Sequence, residues 1–267
     1  MLQSATEHYA AQAQLAAAAV VATRAKELPR ERIAALIALF QLLAAREAIA
    51  SVPKMLAEQG ISSVLVASPQ ALALAGWLSN GLAVTDVLPS VERGYPLERF
   101  VATQVQDAGR NAASVSMTSA PQATGYVRML NPPSCSRCAV LAGRFYRWNT
   151  GFQRHPLCDC RHIPTHEDAA GDLTTDPSAY FNSLSPEQQA RIFTKAGAEA
   201  IRDGADISRV VNARRGMDLG QIHGNRAWVT TEATKRGQIR LMPESIYRYA
   251  KDRDDAIRLL KLHGYVL

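Results

Sequence analysis

The sequence predicts a mainly α protein with a small α+β centre, and three observations carry that reading. Alanine-rich and apolar-periodic stretches dominate the first hundred residues. All four cysteines fall within Cys135 to Cys160, in a stretch rich in turn-forming residues. Beyond it, helix-start and helix-stop signals recur at short intervals. The expected organisation is a helical N-terminal module over residues 1–94, a central module over 95–170 that holds the Cys/His segment, and an α-rich C-terminal module over 171–267 with a short β-hairpin.

The elements follow in order. An Ala-rich helix is expected over about Glu7 to Lys26. Ile33, Leu36, Ile37, Phe40 and Leu43 recur at three-four spacing, the signature of one helix face, and Pro29 just before them suits a helix start. A third helix is expected over about Pro69 to Val84. Many alanines let such helices approach closely, which suits packing against one another or against a partner's helices. "DVLPSVERGYPLERF" reads as a connection, about Glu98 to Met117 as another helix, and "TGYVRML" as a short strand leading to Pro132, Pro133 and the cysteines. After the cysteines, Ser185, Pro186 and Gln188 form a capping-box start, followed by Phe193, Ala196, Ala200 and Ile201 on one face. Gly204 ends that helix and Gly216 closes a shorter one. "RAWVTTEATKRGQIRLM" reads as two strands around a Lys-Arg-Gly turn, and "PESIYRYAKDRDDAIRLLKLHG" as one final amphipathic helix.

Composition narrows the class. With 47% apolar and 20% charged residues over 267 positions, the chain can bury a substantial core without covalent staples. No uninterrupted apolar run approaches the roughly 20 residues of a membrane helix; the longest, Ile33 to Ala45, is broken by Gln41. A membrane partner is not expected. The N-terminus lacks the basic start and unbroken apolar stretch of a secretory signal, so a reducing compartment is the expected setting. The net charge of +6 builds up from the cysteine segment onward: residues 1–110 balance nine basic against nine acidic side chains, whereas 111–170 hold six against three and 171–267 fifteen against twelve. Such a patch suits contact with nucleic acid or an acidic protein surface, and equally a solvated face.

The cysteine segment is the one constellation with a specific chemistry. Cys135-x-x-Cys138 presents two sulfurs from a tight turn, and Cys158-x-Cys160 two more from one side of an extended strand. His155 and His162 flank the second pair, giving six candidates for the four positions of a tetrahedral zinc site. Two disulfides, or thiols buried as small hydrophobes, are the competing readings. A structural metal is expected over a catalytic one. Asp159 and Glu167 lack the placement of a zinc hydrolase's base, "HEDAAGD" has no second histidine, and the H-x-E of a zinc deaminase does not occur. Leu141, Phe145, Tyr146, Trp148 and Phe152 could pack a small core over the metal, with Gly143 and Gly151 turning sharply. Arg137, Arg144, Arg147, Arg154 and Arg161 would then face outward towards a phosphate backbone or an acidic partner, or serve solubility. The chain shows no phosphate loop, no G-x-S-x-G elbow and no spacing that specifies a triad.

The succession Cys135-x-x-Cys138, Leu141, Gly143, an aromatic stretch, His155-Pro156-x-Cys158-x-Cys160 and Pro164, preceded by a helix with Gly109-Arg110-Asn111-Ala112-Ala113, resembles the Mu F-like family of tailed-phage head morphogenesis proteins. The resemblance covers about residues 95–168, and "FYRWNTGFQRHPLCDCRHIP" and "AIRDGADISRVVNARRG" have the look of actinobacterial phage relatives. It implies a minor capsid protein at the portal vertex or inside the head, partnered by the portal protein and by major capsid or scaffold protein, close to packaged DNA, located in the virion and in the host cytoplasm during assembly. His162 is an extra potential ligand against that pattern. The other classes are an enzyme, either a capsid maturation protease or a metal-dependent nuclease, and a nucleic-acid-binding regulator.

Overall fold

A computed structural model describes residues 2–67, 69–130, 134–148, 161–168, 176–222, 224–232, 234 and 238–266. It is mainly α, 60% helical, with two small three-stranded antiparallel sheets. The chain divides into two compact units: Met1–Asn131 with Gly143–Thr174, and Pro132–Ala142 with Thr175–Leu267.

The first unit rests on three long helices, α1 (Gln3–Thr23), α2 (Arg30–Glu58) and, after the single-turn α3 (Val84–Val87), α4 (Tyr95–Thr118). Alanine supplies much of their contact surface: Ala5, Ala16, Ala19, Ala44, Ala45, Ala48, Ala112 and Ala113 are all buried. Small side chains also leave room for a few larger polar ones, as at Gly109, where an added Cβ would lie 2.1 Å from Gln12 Oε1. Gln12 cannot easily give way, because its Nε2 donates to Ala44 O at 2.8 Å and to Glu47 Oε2 at 2.6 Å. Glu47 also meets His8 Nδ1 at 2.7 Å and accepts from Ser51 Oγ at 2.6 Å. Although burial acts to raise its pKa, the hydrogen bonds from His8, Ser51 and Gln12 together with the His8 charge hold it below the usual 4.5.

The start of α1 is served from the far end of α2. Glu58 accepts from the Gln3 amide at 2.7 Å and from the Ser4 amide at 3.0 Å, and bonds the Ser4 hydroxyl at 2.5 Å. Two of the orphan amides of α1 are thus satisfied without a local cap. By length and composition α2 could cross a membrane. Here it sends Ile33, Ile37, Val52, Met55 and Leu56 into the core and carries Gln41, Glu47 and Ser51 into polar contacts with its neighbours.

The helix expected over Pro69 to Val84 does not form. Ala71–Leu74 is one 3-10 turn, followed by a loop closed by a Trp77–Ala83 bridge before α3. Gly76 and Gly81 take φ of +81° and +82°, which interrupts any helix. Gln41 of α2 stands in for the missing ladder, accepting from Gly76 N at 2.8 Å and donating to Trp77 O at 2.9 Å. Pro29 caps α2 from outside rather than occupying its first turn.

A sheet of order β2-β1-β3 completes this unit, with β1 (Gly125–Met129) central, β2 (Phe145–Arg147) and β3 (Arg161–Thr165) on its flanks. Every residue of β1 is buried. Gln59, just past α2, donates to Pro164 O at 2.8 Å and ties β3 to the helices. Tyr126, Met129 and Ile163 enter the same apolar cluster as Tyr9, Val52, Met55 and Met117.

The second unit is made of short pieces. α5 (Ser136–Ala139) comes first; α6 (Pro177–Ser183), α7 (Pro186–Phe193), α8 (Lys195–Arg202) and α9 (Ile207–Ala213) precede a meander of β4 (Met217–Ile222), β5 (Asn225–Thr230) and β6 (Arg240–Leu241), then α10 (Pro243–Tyr249) and α11 (Arg253–Leu262). The capping box of Ser185 and Gln188 is present at α7. The helix expected to run on through Ile201 breaks at Thr194, the one non-glycine residue with positive φ (+68°) among those described, whose hydroxyl caps α8 by accepting from Gly197 N. The final helix is likewise two, since Asp252 starts α11 by accepting from Asp255 N at 2.8 Å. β4 was not anticipated: its pattern, "MDLGQI", has a glycine at its centre, and pairing with β5 along six positions supplies what propensity does not. The Lys-Arg-Gly turn lies outside the described residues.

Two tests follow from the first unit. Gly109→Ala sets about 1–3 kcal/mol of overpacking against about 1 kcal/mol of helix propensity, so a net loss of up to about 2 kcal/mol is expected in urea denaturation. Adding Gln12→Ala should recover part of it; a double-mutant cycle with no coupling would refute the contact. Because the folded pKa of Glu47 is depressed, its contribution is present above the unfolded value near 4.5 and is lost as pH falls through the lower folded value. Stability followed from pH 6 downward should therefore decline in acid, and Glu47→Gln should flatten that part of the profile.

Candidate functional site

The first cysteine pair lies in the second unit, on a turn whose backbone is fully engaged. Ala139 N donates to Cys135 O at 3.0 Å, Val140 N to Ser136 O at 3.2 Å and Leu141 N to Cys138 O at 3.1 Å, which winds residues 135–142 into α5 and the turns after it. Cys135 occupies the N-cap in extended conformation, so its Sγ swings back over the turn and accepts from Cys138 N at 3.4 Å. The two Sγ atoms stand 3.4 Å apart, with Cys138 buried and Cys135 half-buried. That is wider than the ~2.05 Å of a disulfide. Two thiolates on one zinc, each at ~2.3 Å in tetrahedral geometry, stand roughly 3.8 Å apart, so this pair fits a shared metal with a small opening.

Tyr180 of α6 holds the turn in place. Its buried hydroxyl accepts from Ser134 N and donates to Ser134 O, both at 2.9 Å, clasping the residue immediately before Cys135. Nothing in the sequence pointed to Tyr180, which lies 46 residues from Ser134 and carries no local motif.

The remaining candidates are distributed as follows. Cys158, Cys160, His155 and Arg154 lie outside the described residues, as do Phe152 and Gly151. His162 is described, in β3 opposite Arg128, buried, with its ring stacked on Tyr126 at 4.1 Å between centroids. Tyr126 also stacks on Tyr146 at 5.6 Å. Among the described residues no group of three or more His, Cys, Asp or Glu gathers, so Cys135 and Cys138 are the donor pair the geometry assembles.

The aromatic residues expected to cover a metal differ in their exposure. Phe145 and Tyr146 are half-buried in β2 and Tyr146 packs on the helical core, but Trp148 is 59% exposed and Leu141 half-buried. The reason is local: β2 ends at Arg147, and Trp148 is held at the sheet edge by one long bond to Thr124 O. Among the arginines, Arg137, Arg144 and Arg147 are exposed, and Arg147 meets Glu167 at 3.1 Å in a pair open to solvent and worth little. Arg161 opens β3, paired with Met129. Gly125, at the start of β1, has the Tyr146 carbonyl 2.1 Å from where a Cβ would sit, so β2 can pair there only against glycine.

Against known proteins, a family model described as VG15 protein matches residues 2–185. No curated protein and no solved structure matches the chain. With more than two thirds of its length matched, the chain belongs to the VG15 family, and so is a phage protein. The match takes in the three long helices, the first sheet, the cysteine segment and α6 with Tyr180, and stops before α7.

Tyr180→Phe removes both hydrogen bonds of the clasp on Ser134, at about 1–3 kcal/mol for the two together. The expected result is a lower melting temperature together with faster modification of Cys138 by a thiol reagent under native conditions. Unchanged thiol kinetics would mean that Tyr180 does not hold the cysteine turn.

Proposed function

We propose that this phage protein is a minor capsid protein of the Mu F-like type, acting in head morphogenesis at the portal vertex or inside the head, with a structural metal knuckle at its centre. The observation that carries the reading is the convergence of Cys135 and Cys138, in a protein whose family is a phage family and whose remaining cysteines all fall within the next 22 residues. Cys135 and Cys138 would be two ligands, and two of Cys158, Cys160, His155 and His162 the others. Zinc, when bound, cross-links the chain and adds its binding energy to folding. Cys138 contributes a buried thiolate, Cys135 a sulfur already turned towards it, and Tyr180 the fixed position of both.

The partners in this reading are the portal protein and a major capsid or scaffold protein. Arg137, Arg144, Arg147, Arg154 and Arg161 would offer cations to an acidic surface or to packaged DNA. What supports it is the exposure of Arg137, Arg144 and Arg147 and the alanine-rich helices, whose shallow surfaces suit helix-on-helix docking.

The test begins with metal content on protein purified without added metal or chelator, paired with a thiol count in denaturant. About one zinc per chain and four reactive thiols are expected. No metal and no reactive thiols would withdraw the knuckle in favour of disulfides. Cys138→Ser should release the metal and lower the melting temperature sharply, whereas Lys substitutions at the exposed arginines should leave metal content untouched. Co-purification with the portal protein, lost in Cys138→Ser, would support the head role; cleavage of capsid protein by the purified chain would favour the maturation protease instead.

A further inference from the structure

In the second unit, Arg240 of β6 is buried to 93% and yet makes no ion pair with a carboxylate among the described residues. Its guanidinium lies over the Tyr265 ring at 4.5 Å, and one terminal nitrogen donates to His263 O at 3.3 Å. The Nε and the other terminal nitrogen have no acceptor among the described residues. Elsewhere the buried Arg110 meets Asp107 at 2.5 Å, and the half-buried Arg214 meets Glu244 at 2.5 Å. A buried cation with three of its five N–H donors unmatched is unfavourable, and a ring face offsets only part of that cost.

Arg240 lines a cavity of about 520 Å³, within the range of small-molecule sites. The charged groups that line it are both arginines. Arg209 of α9 is the second, anchored by a 2.6 Å bond to Gly264 O. His263 Nδ1 accepts from Leu241 N at 3.4 Å, which leaves Nε2 to donate. Burial and the Arg240 charge lower the His263 pKa, keeping the ring neutral near pH 7. Thr234 and Gln238 add polar edges, Leu262 and Ile239 exposed apolar ones, and no Asp or Glu is among the lining residues.

We propose that this cavity is a binding site for a phosphate group carried by a molecule of nucleotide size, with Arg240 and Arg209 gripping the phosphate oxygens and His263 donating a further hydrogen bond. Two guanidinium groups match a tetrahedral oxyanion better than a single-point cation would, once Arg240 turns its enclosed, unmatched nitrogens to the cavity. The apolar rim then meets the part of the ligand that bears the phosphate. The same chemistry is available from a free mononucleotide or from one phosphate of a nucleic-acid strand. The site lies beyond the family-matched residues and is independent of the cysteine knuckle.

The experiment is calorimetric titration of the full chain with adenosine monophosphate, with inorganic phosphate as competitor against chloride at equal ionic strength, and with a short single-stranded DNA in a separate arm. Expected are saturable mononucleotide binding, competition by phosphate, and an affinity loss of about tenfold or more in Arg209→Gln and in Arg240→Lys. If Arg240→Lys fails to fold by circular dichroism, the half-buried Arg209→Gln decides alone. Binding of the DNA that phosphate displaces, with a weak mononucleotide arm, would assign the phosphate to a strand. No heat in any arm, or identical affinity in a folded Arg209→Gln, would overturn the site.

Discussion

One constraint governs the first unit: α1, α2 and α4 pack through alanine-rich faces, and a small set of polar side chains decides where they meet. Alanine surfaces are smooth and tolerate sliding. The directional bonds among His8, Gln12, Glu47 and Ser51 are satisfied together in a single register of α1 on α2, and Gly109 lets α4 close over Gln12. The sheet inherits this register, because Gln59 at the end of α2 holds β3 and β3 positions the central strand.

The second unit is organised differently. There the apolar cluster is assembled from small contributions, among them Ala200, Val210, Ala227, Met242, Leu260 and Tyr265, and polar ties lock the pieces. Arg214 reaches Glu244 at 2.5 Å, Tyr247 donates to Asp203 at 2.7 Å, and Arg209 holds the Gly264 carbonyl. Burial and the bond to Asp203 push the Tyr247 hydroxyl well above its usual range, so it stays protonated and keeps donating.

How much of this the sequence disclosed depended on whether the signal was local. The mainly α class, the long helices, the strand at "TGYVRML" and the capping box at Ser185 were legible because periodicity and caps act over a few residues. The helix expected near Pro69 failed because two glycines at positive φ and Gln41, distant in sequence, favoured a loop. The helices through Thr194 and Asp252 were read as continuous because a shared apolar face hides a break between two short segments. In the candidate site, the Cys135-x-x-Cys138 turn was visible as a motif, whereas Tyr180, like the cavity that Arg240 and Arg209 share elsewhere in the second unit, arises only when distant segments meet.

The lengths of the helices also set an order of events in folding. α1, α2 and α4 have 21, 29 and 24 residues, long enough to hold partial helicity before any tertiary contact. None from α5 to α11 exceeds 10 residues, below the length at which a helix survives alone in water. Corners such as Thr194 keep them from merging into longer ones. Secondary structure in the second unit is therefore a product of collapse rather than its precursor, and a nascent chain carries its first unit as a pre-wound scaffold while the second waits for its last strand and helix to be made.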